Sequence, residues 1–299
     1  MNSEIKNIWS GAVALTLAIY AGTVFAQVPG GPPPGAARPS ANGGPPPGLP
    51  PGGGPPGAGP PAGDAASLLA LPPLPADAPQ PSPDPRNLDG TWDHETPLLF
   101  QIATDMFGNN TPFNEAGRKV MQRRVNSLKT GTPFINASAL CLPVGQPWQM
   151  DLNMPFHIFQ SKDRLDLAFE EFHGLVQIVM DPAKALPPAY MGSSVGHWDG
   201  DTLVVETSGF KDGLWLDVNG TPASKNAKLT MRFRKVKTDH TLLAVEFTLD
   251  DPTFYTHAWS WMRDYSWRPD MTLFHEYNCE LHTGAPDGLD PSLVPEPQD

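Results

Sequence analysis

The sequence predicts a mostly β fold: an antiparallel meander closed into a barrel or folded into a sandwich, with one N-terminal helix. Three observations carry this expectation. From residue 156 onward, short runs rich in β-branched and aromatic residues alternate apolar with polar. Turn formers punctuate them, among them Asp181-Pro182, Asp199-Gly200-Asp201, Thr238-Asp239-His240 and Asp251-Pro252. Only residues 115–128 read as a helix, with Asn114 placed to cap it and Gly131 past its end. Closure is the standard way for such a meander to hide its edges.

The elements follow in order. Gly90-Thr91-Trp92 opens the folded part as a strand. The helix is basic, through Arg118, Lys119, Arg123 and Arg124, and reads as a solvated helix lying across the sheet. Phe156–Gln160 and residues 165–172 form a hairpin across the polar turn 161–164. A strand at 175–180 follows, then a loop forced by Pro182, Pro187 and Pro188. Residues 202–207 make a β-branched strand after the Asp199-Gly200-Asp201 hairpin turn, where glycine supplies positive φ. Residues 229–237 and 241–249 alternate cleanly and pair across their turn. Residues 257–267 put His257, Trp259, Trp261, Arg263, Tyr265 and Trp267 on one face. A last strand, 273–281, carries His275, Tyr277 and Cys279 on one face.

Composition separates this domain from what precedes it. The chain has 299 residues with 37 prolines and 28 glycines, many of them before residue 87. Residues 1–26 read as a signal peptide: Lys6 flanks an apolar run, 8–20, and Val24-Phe25-Ala26 offers a cleavage site. The alternative is an uncleaved membrane anchor, but that run is short for a span, so cleavage is expected, with no stable membrane span after it. Residues 27–86 are a disordered Pro/Gly-rich linker without the strict glycine period of collagen. Residues 87–282 are the barrel-like domain and 283–299 a flexible acidic tail. The expected location is the periplasm or outside the cell. In such a compartment the two cysteines, Cys141 and Cys279, are expected to pair, with two buried thiols as the alternative. The net charge of −12 argues against a nucleic-acid partner.

Residues 193–217 are the densest run of strand and turn signals and also hold a polar cluster: His197, Asp199, Asp201, Glu206, Asp212 and Asp217. Most of it reads as turns. His197 and Asp199 would point the same way on a strand, but two ligands do not make a metal site, and no metal or cofactor is expected. Glu171 and His173 share a strand face beyond Leu165, Leu167 and Phe169. A carboxylate at an apolar rim has a raised pKa and suits acid–base work. The catalytic candidates are therefore Glu171 and His173, with His197 or Asp217 orienting. The ligand-binding candidates are Trp259, Trp261, Tyr265, His257 and His275, which would line a cavity. There is no H-E-x-x-H or phosphate-loop motif.

Two resemblances emerge from these residues. Gly90-x-Trp92 at the head of a β-rich domain resembles the opening strand of lipocalin-like barrels, where the tryptophan closes the base. The run Ser194-Val195-Gly196-His197-Trp198-Asp199-Gly200-Asp201-Thr202-Leu203-Val204-Val205-Glu206-Thr207 carries the pattern S-x-G-x-W-[DE]-G-D-T-L-V-V-[DE]-T. With Trp215-Leu216-Asp217, Arg232-Phe233-Arg234, Asp250-Asp251-Pro252 and Tyr255, it resembles a group of exported, mostly uncharacterised bacterial β-rich proteins. That resemblance implies export and a lipocalin-like fold, and it brings no agreed activity. Those proteins often carry Pro-His-Ser where this chain has Pro222-Ala223-Ser224, and Gly-Arg-Pro-His-Pro after the strand that here meets Asp181-Pro182-Ala183. Three functions follow as expectations. The first is binding of a small apolar or aromatic molecule. The second is cofactor-independent acid–base catalysis, as in a hydratase, isomerase or cyclase. The third is an envelope-associated structural role, with a partner reached through the tether.

Overall fold

The computed structural model describes residues 73–94, 106–152, 154–271, 277–279 and 292–297. The expected signal peptide, most of the expected linker and His275 lie outside them. The strands are β1 (Gly90–His94), β2 (Phe156–Gln160), β3 (Arg164–Phe169), β4 (Leu175–Val179), β5 (Ser193–Asp199), β6 (Thr202–Ser208), β7 (Leu214–Trp215), β8 (Pro222–Ala223), β9 (Lys228–Val236), β10 (Asp239–Asp250) and β11 (Trp259–Trp267). Nine of them close into a barrel in the order β1-β11-β10-β9-β6-β5-β4-β3-β2, and β7 with β8 forms a separate ribbon. The expected mostly β closed barrel is present. One pairing departs from the antiparallel meander: β4 and β5 are parallel, through Ile178↔Ser194 and Val179↔Val195. The reason is parity. Each antiparallel step reverses direction, so a closed ring with an odd number of strands needs a parallel step.

Alternation fills the interior. Phe156, Ile158, Leu165, Leu167, Val176, Ile178, Leu203, Val205, Met231, Phe233, Val245 and Phe247 belong to one contiguous buried cluster. Trp92 is fully buried, donates its indole N–H to Leu88 O at 3.0 Å, and meets Trp267 edge-on at 5.3 Å. Chain N-terminal to residue 87 also docks here. Trp267 Nε1 donates to Pro79 O at 2.8 Å, and the buried Lys235 Nζ donates to Ser82 O at 2.9 Å.

Helix α1 (Glu115–Lys129) begins where the sequence predicts, with Asn114 Oδ1 accepting from Gly117 N at 2.9 Å. It is less solvated than expected, because Arg124 is buried. Its guanidinium lies 5.0 Å over Trp215 and donates to Glu296 at 3.0 and 3.1 Å. The docked part of the tail thus reaches back to the helix, and Val294 also bridges to Phe134. Several strand boundaries differ from expectation: β10 already begins at Asp239, inside the expected 238–240 turn, β11 begins only at Trp259, and two differences bear on candidate residues. The hairpin strand β3 stops at Phe169, and Glu171–His173 is a 3-10 turn with left-handed φ at Phe172 (57°) and His173 (48°). Tyr277 to Cys279 carry no strand, because β11 already closes the ring onto β1. Cys141 and Cys279 form a disulfide with Cα atoms 5.7 Å apart. No helix among the described residues is long and apolar enough to cross a membrane.

Candidate functional site

The motif residues of 193–217 build structure. Asp199, Gly200 and Asp201 make the β5–β6 turn, with Gly200 at φ 59°, and Asp199 pairs with Arg232 at 3.1 Å. His197 is exposed on the outer wall of β5. Asp217 is buried far from solvent and satisfied by its own turn: it accepts from Asn219 N (3.0 Å), Thr221 N (3.0 Å) and Thr221 Oγ1 (2.6 Å). Asp251 accepts from Ser224 N and Ser224 Oγ, both at 2.8 Å, and Tyr255 O–H donates to Pro222 O at 2.6 Å. These bonds tie the β7–β8 ribbon to the 251–255 turn. Ala223 sits buried in the core.

Glu171 and His173 do not share a strand face, because the turn that contains them begins after β3. No hydrogen bond among the described residues joins them. Glu171 is half-buried, and burial holds its carboxyl above the usual range. The Tyr277 phenol is also raised, by burial and then by the charge of Glu171. His173 is exposed; its Nε2–H donates to Tyr277 O at 3.2 Å. Neither residue is joined to His197 or Asp217 by any described hydrogen bond or ion pair.

Trp259, Trp261 and Tyr265 face inward on β11 as expected, and all three are buried in the core cluster. Phe247 stacks on Trp261 at 5.4 Å. The indole N–H groups of Trp259 and Trp261 have no acceptor among the described residues. His257 lies before β11 and is exposed, so it does not line the interior with the tryptophans. Arg263, on the same face, turns to the buried Asp151 and makes a bidentate pair at 2.8 and 2.9 Å. Burial raises the Asp151 carboxyl, while the Arg263 charge opposes that rise. Beside this pair, Tyr265 O–H and His94 Nε2–H both donate to Met150 O, at 3.2 and 2.7 Å. Met150 and Asp151 are thereby tied to side chains of β1 and β11. Sequence reading missed the pair of Asp151 and Arg263, since neither residue sits in a recognisable motif.

A cavity of about 340 Å³ lies elsewhere, where β4 and β5 separate. Leu175, Val176, Leu186, Pro187, Ala189 and Met191 form apolar walls, and Gln177 and Ser194 add polar groups. Leu175 and Leu186 are exposed at 46% and 38%. Behind Ser194, whose Oγ lies 2.8 Å from Thr207 Oγ1, the buried Gln146 donates to Met191 O at 2.6 Å. None of the candidate site residues lines this cavity. The proline cluster 182–188 was the available signal, because a segment that cannot pair must stand off the sheet.

A scan against protein-family models and a search of curated proteins both find no match. Among the described residues, no group of three or more His, Cys, Asp or Glu side chains is arranged to hold a metal ion.

Proposed function

We propose that this chain is an exported barrel protein that binds a small apolar or aromatic molecule, with the β4–β5 seam as its site. The observation that carries this reading is the cavity itself, apolar-walled with two polar side chains and an apolar mouth. Its volume falls at the low end of the range typical of small-molecule sites, about 300–1,000 Å³. The binding site is therefore moved from the barrel interior, which Trp259, Trp261 and Tyr265 help to fill, to the barrel wall. Acid–base catalysis is the weaker reading, because Glu171 and His173 line no part of the seam. Export to the periplasm or beyond is supported by the character of residues 1–26 and by a disulfide, which persists in oxidising compartments.

The test is a titration with N-phenyl-1-naphthylamine, whose fluorescence rises in apolar surroundings. Ala189→Phe fills the cavity and Leu186→Arg charges its mouth. Each should weaken binding roughly tenfold or more while leaving the thermal midpoint unchanged. Wild-type affinity in both variants would remove the seam as the site. Absence of saturable binding by the wild type would remove the function.

A further inference from the structure

The seam carries more information than its apolar walls, because one of those walls is a strand edge. β4 pairs with β3 on one side in strict alternation. Phe169 N donates to Gly174 O at 2.9 Å and Met180 N to Asp163 O at 3.0 Å. In an antiparallel ladder the bonded pairs recur every second residue. Residues 174, 176, 178 and 180 therefore spend their backbone groups on β3, and 175, 177 and 179 turn theirs the other way. The parallel register Ile178↔Ser194 and Val179↔Val195 then uses the Gln177 C=O and both groups of Val179. What is left facing the seam is the Gln177 N–H and both backbone groups of Leu175.

Had the β4–β5 register continued, residue 192 would have met these groups. It does not, because Gly192 adopts a left-handed turn, φ 72°, and its N–H goes to Ala189 O at 3.1 Å. No backbone hydrogen bond among the described residues links Leu175 or Gln177 to 189–193. The cavity sits at this gap, lined by Leu175, Val176 and Gln177 on one side and Met191, Gly192 and Ser194 on the other. Open amide and carbonyl groups beside an apolar cavity match what strand addition uses: main-chain bonds for affinity and a pocket for a side chain. We infer that the seam takes one residue of a short, extended, peptide-like ligand, lying parallel to β4 in the place the missing rung would occupy. The ligand residue donates its N–H to Leu175 O and accepts at its C=O from Gln177 N–H, and its apolar side chain enters the cavity. This inference rests on the seam being the binding site, and it specifies the ligand as an amide rather than a hydrocarbon.

Two matched probes test it on the full chain: 2-naphthoyl-leucine N-methylamide, and the analogue in which an ester oxygen replaces the leucine N–H. The ester loses the donor and sets an oxygen against Leu175 O. The amide should bind roughly tenfold more tightly. Hydrogen exchange of the Gln177 amide, followed by NMR, should slow when the amide probe is bound. Equal affinity of amide and ester, or unchanged exchange at Gln177, overturns the inference and leaves the seam a simple apolar site. If N-phenyl-1-naphthylamine and both probes all fail to bind, the underlying binding function fails instead.

Discussion

The Cys141–Cys279 bridge offers the sharpest test of how the end of the chain is held. It joins residues 138 apart. In the chain-entropy model, closing a loop of that length in the unfolded state is worth about 5 kcal/mol, and measured values usually fall below that ceiling. For a domain of this size, each kcal/mol moves the melting temperature by about 2–4 °C. The double variant Cys141→Ala/Cys279→Ala should therefore melt up to about 10–20 °C lower. A local effect accompanies the global one. Cys279 and Tyr277 pack against the small cluster of Val144, Trp148, Leu152, Phe172 and Trp215, and His173 bonds the Tyr277 carbonyl. Losing the bridge removes the covalent hold on that contact. The assay is calorimetry on oxidised wild type, reduced wild type and the variant, with thiol titration to establish the redox state. Reduced wild type and variant should agree. A drop below about 3 °C with the thiols free would refute the reasoning, because the bridge would then restrict the unfolded chain far less than the length of its loop implies.

Three further outcomes are expected. Arg263→Met strands the buried Asp151 carboxylate and should cost about 3–5 kcal/mol by denaturant unfolding, whereas Asp151→Leu/Arg263→Met, which removes both charges, should recover most of it. Glu296→Ala takes the carboxylate from the buried Arg124 and should cost about 1.5–3 kcal/mol in the same assay. Burial raises the Glu171 pKa in the fold above its unfolded value, so the stability this group contributes is full below the unfolded pKa and is lost as pH rises through the folded pKa. Glu171→Gln should then melt higher than wild type at pH 7. The difference should vanish below about pH 4, where both forms are neutral; a pH-independent difference would contradict this.

What the sequence made legible is what local physics controls. Residues 229–236 and 241–249 alternate because one face of each strand meets the core, and β9 and β10 follow that alternation. Asn114 announced the helix because a side-chain oxygen at that position satisfies a free N–H. The pair Glu171 and His173 shows how period alone misleads. The apolar series Leu165, Leu167, Phe169 runs formally on to Glu171, yet the strand ends because Phe172 and His173, neither of them glycine, take left-handed φ. Arg124 was unreadable for a different reason. Its partner Glu296 lies 172 residues away, and its aromatic cover, Trp215, belongs to a ribbon on the far side of the sequence. Of the candidate site residues, the structure brings Trp259, Trp261 and Tyr265 together in the core, while Asp217 serves its own turn and His197 and His257 face solvent.

The seam, by contrast, follows from topology rather than from any motif. Nine strands in a closed ring require one parallel neighbour pair. A parallel pair cannot be joined by a tight hairpin, so the chain between β4 and β5 must travel back along the barrel. Here that return, 180–192, includes Pro182, Pro187 and Pro188, none of which has an N–H to offer a ladder. The return must therefore stand away from β4 at its start and join the register only at Ser194, with Gly192 absorbing the change of direction. A gap next to β4 is the consequence, and it opens where Leu175 and Gln177 turn backbone groups outward. An insertion of hydrogen-bonding residues in place of Pro187-Pro188 would let the return segment pair with β4 and fill the gap from within. Such a variant should gain stability and lose ligand together, a coupling that an unrelated surface cavity would not display.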